Sequence, residues 1–600
     1  MRVADYVAEH LENIGVKHVF LLSGGGMMHL LDAVSRRKNL TYICNHHEQA
    51  SGIAADAHAR ITGSLGVCYA TSGPGGTNTL TAVVGAFQDS SPVLFISGQS
   101  KVSQTIEGSK IEGLRQFGTF EVDIIQNVKS VTKYAGFVSK AQDIRYHLEK
   151  AIFMAMDGRP GSVFLDIPID IQGAPVDPAS LRGFNPSELD QTPKHTKYKA
   201  INNQTMDTVV TALGKAKKPL ILAGYGVRVA GAEKTFLDLV NKLNIPVVST
   251  CFGKDIIPYD HPLFVGHPGM KGDRAGNLAI QSADLIISVG CSLHVTTTGY
   301  ELDQFAPKAH KIMVDPDPAV LQREEVGFQD KILGEVKTFL NALSEKVGGT
   351  KIVSNEAWLS HCKRIKNELS VYKEPHKVEG DQINIYNFME VLDTHCQEND
   401  IIVTDAGSAF YVVGQAFRVK KGQRVINSGS LGAMGFALPA ATGAALAASG
   451  GRVICVTGDG SLQTNIHELA VFKRYNLNIK LFVVNNDGYV CIRNSQTNFF
   501  SGHFVGTSYE SGVFIPKTDK IANAYELPYS STDKFSKLDS LVKNVLNSNG
   551  PAVCEVFTPP YQDIIPTVSS VRLENGSMKS KPIHEMAPFM SDEMVKKYEF

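Results

Sequence analysis

The sequence has almost no net charge, with 59 lysine and arginine residues against 60 aspartate and glutamate residues. A balanced surface offers no general attraction for nucleic acid or for an anionic membrane, so we expect neither as a partner. Long apolar runs are also missing, since the alanine-rich tract 437–449 is too short to span a bilayer. The N-terminal stretch 1–15 is amphipathic and acidic, unlike a secretory signal with its basic flank and apolar core. We therefore expect a cytoplasmic protein.

Paired cysteines are absent as well. The nine cysteines are odd in number and scattered, and no two of them form a CxxC pair. This pattern indicates free thiols in a reducing compartment and gives no sign of a zinc site. The composition, with 43% hydrophobic and 20% charged residues, is typical of a globular protein. At about 100–200 residues per domain, the length of 600 residues predicts three to six domains.

The stretch 456–489 contains the strongest motif. An apolar, β-branched run ends in the turn 458–460, an amphipathic segment follows, and a second apolar run ends at Asn486. This order predicts strand, turn, helix, strand. Because the carboxyl ends of parallel strands lie at one edge of a sheet, Asp459 and Asn486, 27 positions apart, should converge there. Together with the backbone carbonyl of Gly488, they offer the oxygen ligands that Mg²⁺ prefers.

The glycines on either side of Asp459 would let a diphosphate approach the backbone at a helix N-terminus. A lone Gly-Asp-Gly is equally an ordinary turn, so the specific signal is its combination with Asn486 at the next strand end. At this spacing the stretch resembles the thiamine diphosphate (ThDP) binding motif, and the whole chain is similar to the acetohydroxyacid (acetolactate) synthase-like family of ThDP-dependent enzymes. The resemblance implies that Asp459, Asn486 and Gly488 hold the metal. It implies ThDP contacts from Gly458, Asp459, Gly460, Ser461, Asn486, Gly488 and Tyr489.

Residues 1–175 alternate between helix and strand patterns, which predicts a doubly wound, mainly parallel sheet. Glu48 follows a strand and opens an alanine-rich helix, where a carboxylate is favoured by the helix dipole alone. The residues His47-Glu48-Gln49 also resemble the family's HEQ pattern, whose glutamate hydrogen-bonds the aminopyrimidine ring of ThDP. The resemblance therefore implies that Glu48 is the catalytic group that activates the cofactor through this ring.

Two loops of this first region are further candidates. Residues 71–78 indicate by themselves only a loop, but they resemble the family's TSGPG(A/G)TN segment, which implies ThDP contacts from Pro74 and Asn78. Gly25 and His29 belong to the segment that follows the first predicted strand, 18–22. We expect both as catalytic groups near the thiazolium edge of ThDP. For His29 the alternative is a capped loop histidine.

Residues 380–560 follow the same helix–strand plan as the first region. The predicted strand 401–404 ends in a turn that is expected to face the cofactor edge. Residues 427–439 resemble the family's SGGLGTMGFGLPA segment, in which a methionine packs beneath ThDP, although methionine more often fills gaps in a core. The predicted ThDP contacts of this region are Asp405, Gly407, Ser408, Gly432 and Met434.

Residues 195–345 predict a central Rossmann-like domain. A strand runs into a GxGxR turn, and an aspartate follows a later strand end. A GxGxR turn alone needs no ligand, but flavin-containing members of the family bind FAD with this domain. Two departures from the family pattern, at residues 119–121 and 290–294, argue against FAD. The candidate FAD residues are Gly224, Gly226, Arg228 and Asp315.

The predicted fold class is α/β with three doubly wound, mainly parallel-sheet domains. We expect a linker at 173–200, and a surface helix plus linker at 346–380 that contains the only tryptophan, Trp358. The predicted divisions are a pyrimidine-binding domain at 1–175, a central Rossmann-like domain at 195–345, a diphosphate-binding domain at 380–560, and an extended C-terminal tail at 561–600.

The resemblance implies that the protein decarboxylates a 2-oxo acid, pyruvate first, and transfers the acyl-anion equivalent to an acceptor carbonyl. Alternatives within the enzymes are a ThDP-dependent decarboxylase and a lyase of the diketone hydrolase type. A non-catalytic nucleotide-binding regulatory subunit is the alternative outside the enzymes. Because the family places the glutamate and the diphosphate motif on different subunits, we expect at least a homodimer, with a homotetramer as the larger assembly.

The acceptor is expected to be larger and more polar than pyruvate. Acetohydroxyacid synthases carry a tryptophan some way after the metal motif, whereas residues 488–497 contain none. Arg493 and Gln496 can offer hydrogen bonds to a polyol or a phosphate, with a solvated surface position as the equal alternative. A keto-sugar carried on a nucleotide is the acceptor that we expect first.

Overall fold

Three six-stranded sheets with helices on both faces form the body of the molecule. Every strand pair within these sheets is parallel, so the predicted α/β fold with three doubly wound sheets is confirmed. No helix in the described part of the chain is long and apolar enough to cross a bilayer. All nine cysteines are free, as expected. The structure is a computed structural model that describes residues 1–189, 201–349, 355–598 and 600.

The first sheet has the strands β1 (His18–Leu21), β2 (Thr41–Cys44), β3 (Gly66–Ala70), β4 (Val93–Gln99), β5 (Tyr134–Phe137) and β6 (Val163–Pro168). Their order is β2-β1-β3-β4-β6-β5. The inner strands are short apolar runs; all five residues of β3 are buried, as in a parallel sheet covered on both faces. The helices are α1 (Val3–Asn13), α2 (Met28–Ser35), α3 (Glu48–Thr62), α4 (Pro74–Asn78), α5 (Leu80–Gln88), α6 (Ile106–Ser109), α7 (Ile124–Val128), α8 (Ile144–Met156) and α9 (Ile169–Gly173).

The second sheet has the strands β7 (Pro219–Ala223), β8 (Val247–Ser249), β9 (Phe264–Gly266), β10 (Leu285–Val289), β11 (His310–Asp315) and β12 (Asp330–Leu333). Their order, β12-β11-β10-β7-β8-β9, is that of the Rossmann fold, which confirms the predicted resemblance of this region to that fold. The helices are α10 (Asn203–Lys215), α11 (Gly226–Val229), α12 (Glu233–Leu243), α13 (Arg274–Ser282), α14 (Val295–Thr298), α15 (Pro318–Leu321) and α16 (Val336–Lys346), followed by α17 (Glu356–Glu368).

The third sheet has the strands β13 (Ile401–Thr404), β14 (Arg424–Ile426), β15 (Val453–Gly458), β16 (Ile479–Asn485), β17 (Tyr529–Thr532) and β18 (Ala552–Phe557). Their order, β14-β13-β15-β16-β18-β17, repeats that of the first sheet, so the predicted likeness of these two domains is confirmed. The helices are α18 (Ile385–His395), α19 (Gly407–Ala416), α20 (Ala437–Ala447), α21 (Asp459–Leu462), α22 (Leu469–Arg474), α23 (Val490–Phe500), α24 (Thr518–Ala524) and α25 (Phe535–Leu546).

The first and third domains share one apolar core through a close contact between α3 and α20. Both helices are rich in alanine and glycine on the facing sides, so their backbones can approach without bulky side chains between them. A Cβ added to Gly443 on α20 would lie 2.0 Å from the carbonyl oxygen of Ala54 on α3. The two domains are therefore held together at near-backbone distance.

The predicted linker 173–200 is partly packed rather than free. Leu181 and Leu189 are buried in the core of the first domain. Two apolar side chains anchored in this way hold the first part of the segment against that domain. Residues 190–200 lie outside the described part of the chain.

The helix expected at 346–380 is present as α17, but its tryptophan is not at the surface. Trp358 is buried, and its indole N–H donates to the carbonyl of Pro219 at 2.9 Å. The wide indole ring thus packs α17 onto the second domain. Residues 350–354 of this segment lie outside the described ranges.

The C-terminal tail lies on the second domain and is more structured than the predicted extended chain. The ring of Phe600 lies 5.3 Å from the ring of Trp358. The buried guanidinium of Arg274 pairs with Glu374 at 2.6 Å and donates to the carbonyl of Met586 at 3.1 Å. These contacts fix the tail. Its elements are β19 (Thr567–Val568), β20 (Ser570–Arg572), β21 (Met578–Ser580), β22 (Met586–Ala587) and α26 (Asp592–Tyr598).

We expect Gly443→Ala to lower the melting temperature, because the added methyl group must push α20 away from α3. Overpacking of this kind costs about 1–3 kcal/mol. The matched control is Gly214→Ala in α10, where an added Cβ meets nothing within 4 Å. That change should raise stability by up to about 1 kcal/mol through helix propensity. Calorimetry of both variants would contradict the close helix contact if Gly443→Ala were as stabilising as the control.

Candidate active site

The diphosphate motif lies at the carboxyl ends of β15 and β16, next to the point between β13 and β15 where the strand order of the third sheet reverses. In open α/β sheets this switch point leaves a crevice outside the carboxyl ends of the strands. Asp459 follows β15 directly and is 1% exposed. Its two carboxylate oxygens accept hydrogen bonds from the backbone N–H groups of Gly460 and Gly488, both at 2.9 Å. Burial raises the pKa of Asp459 to about 6, and a bound cation would lower it again.

Asn486 follows β16, the strand next to β15. Its amide nitrogen donates to the hydroxyl of Ser408 at 3.3 Å, but its side-chain oxygen is buried and has no hydrogen-bond partner. A buried oxygen without a partner is rare and points to a ligand. Gly488 has a φ of +106°, and a Cβ there would lie 2.3 Å from the carbonyl oxygen of Thr507, so only glycine fits. The sequence-predicted metal residues are thus brought together, and their oxygens suit Mg²⁺.

The metal would depend on its cofactor for further ligands. Within the described residues, no group of three or more His, Cys, Asp or Glu side chains could hold a metal ion. One carboxylate, one amide and one carbonyl leave several positions of an octahedral magnesium ion to phosphate oxygens and water. The donor set therefore fits a metal that is bound together with a diphosphate.

The loops around the motif leave open space in front of the backbone. A Cβ added to Gly407, Gly432 or Gly458 would meet no heavy atom within 4 Å. Gly407 and Gly432 both have a φ of +71°, which favours glycine for its conformation. Met434, on the same loop as Gly432, is 41% exposed and available to a ligand. Gly460 differs, because a Cβ there would lie 2.4 Å from the ring of Tyr489.

The side chain of Asp405 is engaged by groups of its own chain. Its carboxylate is fully buried and accepts hydrogen bonds from the backbone of Gly435 at 2.9 Å and Ala437 at 3.2 Å, and from the hydroxyl of Thr457 at 3.0 Å. These donors belong to the protein itself. The side chain of Asp405 therefore holds the loop that carries Met434, and a ThDP contact from this residue stays a prediction.

Glu48, the first residue of α3, is 5% exposed. One of its carboxylate oxygens accepts a hydrogen bond from the side-chain amide of Asn78 at 3.0 Å. Among the described residues its other oxygen accepts no hydrogen bond, which leaves it available to a ligand. The two predicted residues are thus paired at the start of α3, and Pro74 lies nearby at the first position of α4.

The glycine turn after β1 lies against the loop that begins at Thr71. The N–H of Gly26 donates to the Thr71 hydroxyl at 3.0 Å, and a Cβ at Gly25 would meet no atom. His29 is oriented elsewhere: its ring nitrogen Nε2 lies 2.9 Å from where a Cβ of Gly173 would be. The structure therefore does not join His29 to Glu48, and a catalytic role for His29 stays a prediction.

Comparison with known proteins agrees with this geometry. Residues 1–117 match the thiamine pyrophosphate enzyme N-terminal TPP binding domain, residues 206–343 the central domain and residues 405–556 the C-terminal TPP binding domain. Acetolactate synthase isozyme 2 large subunit of Escherichia coli (strain K12) is 31% identical over 571 residues, 95% of this chain and 97% of that protein. The chain belongs to the acetolactate synthase-like family of ThDP-dependent enzymes.

Other members are equally similar along the chain. Acetolactate synthase 1, chloroplastic, of Zea mays is 31% identical over 580 residues, 94% of this chain and 87% of that protein. The probable acetolactate synthase large subunit of Methanocaldococcus jannaschii is 31% identical over 589 residues, 96% and 95% of the two chains. The similarity to acetolactate synthases therefore extends over nearly the whole length.

The central domain of this ThDP enzyme borders a cavity of about 570 Å³, lined by residues of all three domains. The four candidate FAD residues are among those that line it. Packing explains the glycines, however, because a Cβ at Gly224 would lie 2.2 Å from the carbonyl oxygen of Gly290. Arg228 is held by Glu233 and by Asp255, whose carbonyl it reaches at 2.7 Å. The glycines thus give no signal for a flavin, and the remaining signals are the cavity and the unpartnered buried Nε of Arg228.

Two polar residues expected at the acceptor pocket bind the backbone instead. Arg493 donates to the carbonyls of Asn486 and Asp487 at 3.0 and 2.9 Å. Gln496 exchanges two hydrogen bonds with the backbone of Val505. These side chains therefore help to shape the loops after the metal motif, and a contact from Arg493 or Gln496 to the acceptor stays a prediction.

Glu468 is a site residue that the sequence did not indicate. Its side chain is fully buried between the first and third domains, where it accepts hydrogen bonds from the Asn45 amide at 2.8 Å and the His46 backbone at 2.9 Å. It thereby holds the segment that leads into Glu48. Burial raises the pKa of Glu468 to about 7. An acidic residue directly before the apolar run 469–472 was the available signal.

The contribution of Glu468 to stability should depend on pH. A carboxyl whose pKa rises from 4.5 to about 7 on folding stabilises the fold fully below 4.5, and that contribution is lost as the pH rises to about 7. The loss is on the order of 3 kcal/mol, at about 1.4 kcal/mol per pKa unit. Glu468→Gln stays neutral at both pH values. The melting temperature of the variant minus that of wild type should therefore be larger at pH 8 than at pH 5.

Melting curves at both pH values would measure this difference. Glu398→Gln, an exposed glutamate of the same domain, is the control and should show no such change. An equal difference between Glu468→Gln and wild type at both pH values would rule out a raised pKa for Glu468.

Proposed function

We propose that the protein decarboxylates a 2-oxo acid, pyruvate first, and joins the acyl unit to an acceptor carbonyl, with ThDP and Mg²⁺ as cofactors. The observation that carries this proposal is the unpartnered buried oxygen of Asn486 beside the Asp459 carboxylate, on a chain whose relatives are named acetolactate synthases. A silent regulatory subunit would have no need to keep such an oxygen unsatisfied.

In this proposal the chain supplies binding and proton placement. Asp459, Asn486 and the Gly488 carbonyl hold the metal, which neutralises the diphosphate. When bound, ThDP supplies the electron sink that decarboxylation of a 2-oxo acid requires. Glu48, held by Asn78 through one oxygen, has its other oxygen free to share a proton with a ring nitrogen of the cofactor.

A homodimer, or a homotetramer built from two of them, is part of the proposal. Three aromatic residues are exposed on α23 and on the loop after it, just beyond the metal motif. Their exposed fractions are 66% for Phe500, 70% for Tyr509 and 71% for Phe514. An exposed patch of this kind marks an interaction surface. A second subunit covering it would also enclose the open side of the cofactor crevice.

We keep a keto-sugar carried on a nucleotide as the proposed acceptor. The support is the absence of tryptophan from residues 488–497, beside the metal motif. Without a wide ring, the crevice has room for an acceptor larger than pyruvate. Simple release of an aldehyde and cleavage of a diketone remain the competing reactions, and product mass separates the three.

The central test is Glu48→Gln. We expect CO₂ release from pyruvate to fall by about 100-fold or more, since a glutamine cannot share the proton, while ThDP still binds. The matched control is Glu356→Gln, because Glu356 is also the first residue of a helix, α17, but lies exposed. If Glu48→Gln kept most of the activity, Glu48 would be only a helix-dipole residue and the proton role would be wrong.

The flavin is tested separately. We propose that FAD occupies the 570 Å³ cavity of the central domain, a size within the usual range of cofactor sites. Decarboxylation and acyl transfer need no net electron transfer, so the flavin should be present but unchanged during turnover. Purified protein should show flavin absorbance and release FAD on denaturation. A colourless, fully active preparation without extractable flavin would exclude this cofactor.

A further inference from the structure

Lys271 is a partly buried cation without a counter-ion. It precedes α13 in the second domain and faces the third domain, where its ammonium nitrogen lies 5.5 Å from the ring centroid of Tyr411. Among the described residues it forms no salt bridge and no hydrogen bond through its side chain. Burial lowers the pKa of Lys271, and the acidic groups that act on it are Cys491 and Asp563. Neither comes within salt-bridge distance.

The position of Lys271 connects it to the cofactor crevice. Tyr411 lies one turn into α19, the helix that begins at Gly407 beside the crevice. Cys491 lies in the first turn of α23, shortly after the metal motif. The backbone next to Lys271 is attached to α19, because the side chain of Gln415 on that helix donates to the carbonyl of Gly272 at 3.2 Å. Lys271 thus lies beside the starts of two helices that border the proposed active site.

Other cations of this region have partners within the protein, although the buried Nε of Arg493 has none. Lys254 donates to the carbonyl of Gly414 at 2.9 Å, Arg274 pairs with Glu374, and Arg493 binds the backbone after the metal motif. A buried cation without an anionic partner costs free energy, so proteins seldom keep one. A substrate anion would supply the missing partner.

We propose that Lys271 binds the anionic group of the acceptor substrate, a carboxylate or a phosphate, at the side of the cofactor crevice. This inference rests on the proposed function. The carboxylate of pyruvate, the acyl donor, is a less suitable partner for Lys271, because it leaves as CO₂. Strong binding of that carboxylate would stabilise the ground state against decarboxylation. An ammonium group offers a point charge and three donors, and it suits carboxylate and phosphate alike. Lys271 is therefore a specificity-determining residue.

The test compares acceptors with and without charge. Wild type, Lys271→Met, Lys271→Arg and the control Lys308→Met, an exposed lysine of the same domain, are assayed with saturating pyruvate. The acceptors are 2-oxobutyrate, acetaldehyde and a nucleoside diphosphate-linked keto-sugar, and products are identified by mass. Lys271→Met should raise the KM for an anionic acceptor about tenfold or more, and leave both kcat and the KM for acetaldehyde unchanged. Lys271→Arg should restore most of the affinity, and Lys308→Met should behave as wild type.

The acceptor whose KM changes identifies the anion: 2-oxobutyrate indicates a carboxylate and the keto-sugar a diphosphate. An unchanged KM for both anions in an active Lys271→Met variant would overturn the inference and leave the proposed function intact. An equal rise for acetaldehyde would also overturn it, since that result means a structural role. If the methionine variant does not fold, Lys271→Gln takes its place. No CO₂ release by wild type with any acceptor would overturn the proposed function and the inference together.

Discussion

The close contact between α3 and α20 is the constraint on which both halves of the candidate site depend. Glu48 opens α3, and the loop with Gly432 and Met434 leads into α20, so the position of each depends on how these helices meet. The contact requires glycine at position 443, where the Ala54 carbonyl leaves no room for a Cβ. An apolar core shared by the first and third domains follows directly from it.

Three buried acids show how the neighbours of a buried carboxylate determine its role. Asp405 is satisfied by donors of its own chain and holds a loop. Glu468 is satisfied by Asn45 and His46 and holds the segment before Glu48. Asp459 has two backbone donors but stands beside the unpartnered oxygen of Asn486, so it alone has a place for a cation next to it. The chemistry available to each acid thus depends on its neighbours, which burial makes decisive.

The same distinction applies to the basic residues. Arg228 and Arg493 lie at predicted binding positions, where terminal nitrogens of both guanidiniums bind the protein's own groups and the buried Nε of each has no partner. Lys271 lies at a position for which nothing was predicted, and it has no such partner. A charged residue near a crevice is therefore a stronger candidate for ligand binding when more of its hydrogen-bonding capacity remains unused.

The sequence by itself determined the three parallel sheets and the positions of the main motifs. Apolar runs, glycine turns and helix periodicity are local signals, and the order strand, turn, helix, strand places Asp459 and Asn486 at one sheet edge. Only the tertiary structure decided that Asp405 holds the loop of Met434, that Glu468 supports Glu48, that Trp358 is buried and that Arg493 binds backbone carbonyls. The physical reason is that the partner of each of these side chains is brought to it by folding. Residue type and spacing indicate which ligands a side chain could bind. The folded structure determines whether its hydrogen-bonding groups are still free to bind one.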